Sequence, residues 1–359
     1  MLGAMRFASL VLSSACFACL GCAKSDTLGA KSIAFVGQGI VNNPKNRSLR
    51  FDLLKFGLES FCAEMKKRGV SLKLSDEHPV MGRFFAKDCQ SEVVDDEQRK
   101  SLLLRFTGSG YAWTNVTGRL GFEVVALVEY STDFQLAQDQ SLYVYFQPKN
   151  IQATTYTTKL VESAQARGAM TVAKLDPDSI GRQILNAQLE RGFTVIRRDE
   201  QGETNYALGL LPVGTTPFVP FQIVSARQTL ANDRTELHAG QQDFVGGFEV
   251  TEDDQAFTLT ASIDGAPAVD VFLISTTAGQ QMLEQYVAKS GPVALTEPAR
   301  LEDSVAYGNL WQRSLAVPRG SYLLMFDNSQ AVGRAAPPQS GGDDRAVKID
   351  YVVQLGDAN

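Results

Sequence analysis

The sequence predicts an α+β protein, in which a long antiparallel sheet with two helices precedes an antiparallel β-sandwich. Three observations lead there. Between about residues 70 and 162, β-branched and aromatic residues recur with a period near two, as strands require. The segments around Phe51–Gly69 and Asp176–Gly192 carry apolar stripes at helical spacing, with residues suited to caps at their ends. Beyond residue 222, short strand candidates alternate with turn residues, the pattern of a sandwich.

The first helix is "FDLLKFGLESFCAEMKKRG". Leu54, Leu58, Phe61, Cys62 and Met65 fall on one stripe. Lys66, Lys67 and Arg68 suit the negative end of the helix dipole, and Gly69 suits the residue just past the end. "LLLRFTGSGYAW", "RLGFEVVALVEYSTDF" and "SLYVYFQPKNIQATTYTTKLVE" then read as strands, each longer than the usual five or six residues. The third is expected to bend at Gln147–Pro148, and "TNVTG" supplies a turn. In the second helix Asp176 is the N-cap, Pro177 the first helical residue and Gly192 the stop. Ile180, Ile184, Leu185 and Leu189 form its apolar face. A hairpin of Phe193–Arg198 and Asn205–Leu211 closes this part, which spans 33–222.

Three prolines in Pro212–Ile223 make a stiff connection. The sandwich, 223–359, is expected to use "FQIVSARQTL", "GQQDFVGGFEV", "QAFTLTASIDG", "AVDVFLIS", "WQRSLAVP", "GSYLLMFDNS" and "AVKIDYVVQLG". Thr277–Gly291 reads as a short helix, with Met282, Leu283 and Tyr286 facing inward. Asn328–Asp344 is a long polar loop rich in Gly and Pro.

Residues 1–21 have the layout of a signal peptide: Arg6, then the apolar run Phe7–Leu20. "CLGC" resembles the lipobox of bacterial lipoproteins. The resemblance implies that Cys22 carries the lipid, with Cys16 or Cys19 as the other possible acceptors. The position usually held by Leu is Cys19 here. It also implies an exported protein held to the cell envelope by acyl chains, each buried methylene adding about 0.8 kcal/mol. Ala23, where an Asp would favour retention at the inner membrane, points to the outer membrane. Residues 22–32 then form a tether. Loss of the leader removes Arg6 and moves the net charge from −6 to −7. Such a balance does not suit nucleic acid, whose phosphates demand basic patches. With Cys22 acylated in an oxidising compartment, Cys62 and Cys89 remain as a pair, either bridged or as buried thiols. A disulfide is expected, and its closed loop would contribute about 3 kcal/mol.

Two further resemblances concern fold. Asp270, Val271 and Leu273, followed by Gly320, Tyr322, Leu324, Asp327 and Asn328, resemble strands of the small sandwiches related to the Golgi-dynamics (GOLD) domain. This implies an adhesion, cargo-binding or accessory module. The order of elements over 33–222 is similar in outline to the tubular lipid-binding superfamily. That likeness implies a groove for an apolar ligand, set against a sheet and helices that simply pack on each other.

Catalytic signatures are sparse. The two histidines, His78 and His238, lie far apart and outside any ligand-spaced motif, and no G-x-S-x-G elbow or P-loop occurs. Acidic residues cluster in apparent turns. Asp253, Asp254, Asp327, Asp343 and Asp344 are the candidates for a Ca²⁺ site, which needs six to eight oxygens. Tyr111, Trp113, Tyr143, Tyr145 and Phe146 are candidates to line an apolar groove or to stack on a ligand, or else simply to fill a core. The reading that follows is a lipid-anchored envelope protein that binds or scaffolds and has no catalytic role or cofactor. Its expected partners are the membrane, through the anchor, and an envelope protein or apolar ligand. The alternative is a carrier or sensor of a lipid, using the first domain.

Overall fold

A computed structural model describes residues 42–358, except 60, 68, 76, 115–116, 140, 175, 199–202, 216, 224–226 and 336–345. The expected leader, the expected lipid acceptor Cys22 and the expected tether therefore lie outside the described residues. The chain is β-rich, with antiparallel sheets and a few helices.

The expected first helix starts earlier and divides, into α1 (Arg47–Glu59) and α2 (Phe61–Lys67). Seven strands follow in one sheet, in sequence order and antiparallel throughout. They are β1 (Val70–Ser71), β2 (Gly82–Asp95), β3 (Lys100–Thr114), β4 (Gly118–Leu136), β5 (Leu142–Val161), β6 (Phe193–Arg198) and β7 (Glu203–Leu208). β5 runs 20 residues through Pro148, and its register with β4 shifts between Glu129 and Tyr130, opposite Pro148, where the bend is expected. β6 pairs only with Leu142–Phe146, so Pro148 lies where no further strand needs its missing N–H. Three register shifts between β4 and β5 bend the pair.

The bend wraps the sheet around the helices. The Phe61 ring lies 5.0 Å from Phe146 of β5 and 5.9 Å from Phe193 of β6. The next residue, Cys62, is disulfide-bonded to Cys89 of β2, so the expected bridge is present. Adjacent residues of one helix thus reach both arms of the sheet. Leu54, Leu58, Phe84, Phe106, Phe122 and Tyr130 fill the space between.

Two helices cover β5. α3 (Ala164–Ala173) is absent from the sequence reading: its alanines and glycine show no apolar stripe, and of its side chains Ala166 is buried. Ser163 caps it by accepting from the Ala166 amide. α4 (Pro177–Glu190) is capped by Asp176 as expected, and Asp178 accepts from the Thr158 amide at the strand edge.

Beyond β7, the described residues form two four-stranded antiparallel sheets. One is ordered β13 (Trp311–Ala316), β10 (Gln255–Asp264), β15 (Val347–Asp357) and β8 (Gln228–Leu237). The other is ordered β12 (Leu301–Ala306), β11 (Ala268–Ser275), β14 (Gly320–Asn328) and β9 (Gln241–Val250). α5 (Thr276–Ala288) links β11 to β12. β12 escapes the sequence reading because "LEDSVA" is largely polar, as a strand at the sheet edge can be. β8 begins at Gln228, later than "FQIVSARQTL" suggests. Phe244, Phe257, Phe272, Tyr351 and Val353 from the two sheets share one core. No helix of the described residues is long and apolar enough to cross a membrane.

Candidate functional site: the junction of sheet and sandwich

Charged residues rarely sit on the inward side of an apolar strand unless paired. Arg83 at the start of β2 and Asp243 in β9 both do so and are fully buried. They meet in a two-pronged ion pair: Arg83 Nε and Nη2 donate to the two Asp243 oxygens at 2.8 Å each. Arg83 Nη2 also donates to Tyr351 Oη of β15 at 3.0 Å. The Tyr111 hydroxyl donates to Asp243 at 2.7 Å and accepts from the Phe244 amide at 2.8 Å. Burial alone would make the Arg83 guanidinium easier to deprotonate. The Asp243 carboxylate outweighs it, so Arg83 stays charged, well above its ordinary pKa. Burial, then Asp243, pushes the Tyr111 phenol well up, so it remains a donor.

A second knot lies beside the first. Trp113 Nε1 donates to Tyr286 Oη of α5 at 3.3 Å, and that oxygen accepts from the Gln242 amide at 2.9 Å. Arg119 is fully buried, stacked 3.7 Å over the Tyr286 ring, and donates to the Lys289 and Gly291 carbonyls. Glu162 completes it, 3.0 Å from Arg119 and accepting from the Gly291 amide.

The backbones themselves touch. A Cβ on Gly121 of β4 would lie 1.9 Å from the Val287 carbonyl of α5. A Cβ on Gly247 of β9, at φ +81°, would lie 1.6 Å from the Lys67 carbonyl at the end of α2. The Gly69 amide donates to Gly246 O, and Val80 bridges to Thr235 of β8. Between the two parts a half-open cavity of about 140 Å³ is lined by Met81, Trp113, Thr114, Glu236 and His238. Ligand pockets usually start near 300 Å³, so it suits a few waters or a very small group.

The five candidate aromatics do not share a groove. Tyr111 and Trp113 belong to the sandwich core, Phe146 to the helix-filled core, and Tyr143 to a small third cluster with Tyr145 beside it. The described members of the candidate Ca²⁺ set are not brought together either. Asp253 is exposed and bound by Arg319 just before β14, whereas Asp327 is buried near the far end of that strand. Asp254 is exposed in the same turn as Asp253, and Asp343 and Asp344 lie outside the described residues. Asp327 instead stands directly opposite Asp270 in the β11–β14 ladder, both carboxylates buried. Ser329 Oγ donates to Asp327, while Ser304 Oγ and the Ala335 amide donate to Asp270. Burial, aided by Asp270, raises the Asp327 carboxyl to about 6, against the hydrogen bonds of Ser329 and Gln242.

Sequence reading misses Arg83, Asp243 and Arg119, and places Tyr286 inward without its part in the junction. The available signal is the placement of Arg83 and Asp243 at inward positions of strand patterns. Nothing in the sequence says that they meet across 160 residues.

No protein-family model matches the chain, and no curated protein matches it. Among solved structures, a chain titled "Bacillus endospore appendages form a novel family of disulfide-linked pili" is 9% identical with a TM-score of 0.20, covering 39% of this chain and 98% of that one. A chain of infectious bursal disease virus, Gt strain, is 13% identical with a TM-score of 0.21, covering 80% of this chain and 74% of that one. Likenesses this slight carry no argument about this chain.

Two outcomes test the energetics. Arg83→Met should cost about 3–5 kcal/mol in urea unfolding, since it strands a buried carboxylate. Adding Asp243→Leu should recover much of that loss. For Asp327, the folded state holds its proton more tightly than the unfolded chain. Its contribution is therefore present below pH 4 and lost as pH rises through about 6. Asp327→Asn should remove that slope and gain up to about 3 kcal/mol at pH 7, read from urea midpoints at pH 4 to 7.

Proposed function

We propose that this chain is an exported, lipid-anchored envelope protein that acts as a rigid binding scaffold rather than as an enzyme. The observation that carries the scaffold reading is the junction. The two-pronged Arg83–Asp243 pair and the Arg119–Tyr286 stack lock a curved sheet onto a sandwich. A junction this deeply bonded holds two outer surfaces at one angle, which a scaffold needs and a hinged enzyme does not. The Cys62–Cys89 disulfide suits an oxidising compartment. "CLGC" and the polar stretch after it would supply the anchor, with Cys22 as lipid acceptor and the outer membrane as destination. The partner would be another envelope component met by the sandwich.

The test uses the full chain in a bacterium that processes lipoproteins. Labelled palmitate should enter the wild type and not Cys22→Ser, and cross-linking in intact cells should capture a discrete partner through 223–359. Label retained by Cys22→Ser would refute the Cys22 anchor. Absence of a partner together with co-purified lipid would replace the scaffold by a carrier.

A further inference from the structure

The disulfide and the junction are joined by one short helix. α2 begins beside Cys62, bonded to Cys89 of β2, and ends at Lys67. The Lys67 carbonyl is seated against Gly247, and two residues on the Gly69 amide donates to Gly246 O. Both glycines have positive φ, and the β9–β14 register shifts opposite them, so the two form a bulge. The bulge receives the end of the helix. β9 also carries Asp243, only a few residues before it.

Besides the disulfide, α2 is held by the packing of Phe61 and Met65 and, beyond Gly69, by the short pairing of β1 with β2. It is a seven-residue helix, below the length at which helices are stable alone. Of its charged groups, Lys67 Nζ lies 3.2 Å from Glu249, and both are exposed, so that pair contributes little. Phe61, Cys62 and Met65 pack against the sheet core, with Met65 Sδ 3.9 Å from Cys89 Sγ. The covalent bond thus restricts where the C-terminal end of α2 can go.

We propose that the Cys62–Cys89 disulfide is the clamp that seats α2 in the β9 bulge, so that the junction is completed only when the chain is oxidised. Arg83–Asp243 and the sandwich core would form without it; the α2 contact would not persist. Reduction by a dithiol would transfer two electrons and two protons to the bridge, give two thiols, and leave the reagent as its own disulfide. α2 would then be released from Gly246 and Gly247 while both sheets stayed folded. The clamp rests on the residues of the junction and not on the lipid anchor.

Hydrogen exchange on the full chain tests this, comparing the oxidised protein with Cys62→Ser/Cys89→Ser. The Gly69 amide should lose protection by at least about tenfold, with faster exchange around Gly246–Phe248, while Leu259 and Val353 in the sandwich core stay unchanged. Gly247→Ala, which keeps the disulfide but blocks the seat, should give the same local pattern. Equal protection in oxidised and disulfide-free protein would overturn the clamp. So would a uniform loss across Leu259 and Val353, because the bridge would then be a general stabiliser.

Discussion

A guanidinium and a carboxylate, both removed from water, tie the two halves of this chain together. Burying Arg83 and Asp243 costs several kcal/mol per ion before any contact is made. The cost is met only if the geometry is two-pronged and the leftover hydrogen-bonding capacity is used, and Tyr111 and Tyr351 use it. That requirement propagates outward. β2 and β3 must run far enough to carry Arg83, Tyr111 and Trp113 beyond the helix-filled core and into the sandwich. The same strand β3 therefore contributes Leu104 and Phe106 to one core and Tyr111 and Trp113 to the other.

Long strands create long edges, and exposed edges invite unwanted pairing. The chain closes several of them with its own side chains. α2 runs alongside β2, from Cys62 opposite Cys89 to Gly69 against Phe85, and continues as β1 on that strand. At the far end of β4, which outruns β3, the Asn42 side chain both donates to the Leu136 carbonyl and accepts from its amide. It thus imitates a strand neighbour. Arg50 donates to the Phe134 carbonyl on the same edge.

Much of the β pattern was legible in the sequence because alternation is local. So were α4, with Asp176 and Pro177 at its start, and α5, where Met282, Leu283 and Tyr286 do face inward. α3 and β12 were not legible, since small or polar residues leave no periodic trace at the surface. The junction was illegible for a different reason. Arg83 and Asp243 each look like an ordinary charge in a strand, and their meaning lies in a meeting that no local pattern encodes. For the aromatic set the alternative of core filling matches their places, and Tyr143 and Phe146 share a strand yet belong to different clusters.

The order of assembly along the chain has a consequence for biosynthesis. The seven-stranded sheet pairs each strand with its sequence neighbour, so it can zip up progressively as the chain emerges. The sandwich cannot do this, because β15, the last strand, lies between β8 and β10. Arg83 waits longest of all: its partner Tyr351 lies 268 residues away, within the final strand. Until β9 supplies Asp243, the first half is a folded sheet with an uncompensated cation at its lip, and until β15 arrives the guanidinium lacks its last hydrogen-bond partner. Interrupted synthesis would therefore leave a product that is locally ordered but exposes a charge and an aromatic face, a state well suited to capture by quality-control machinery.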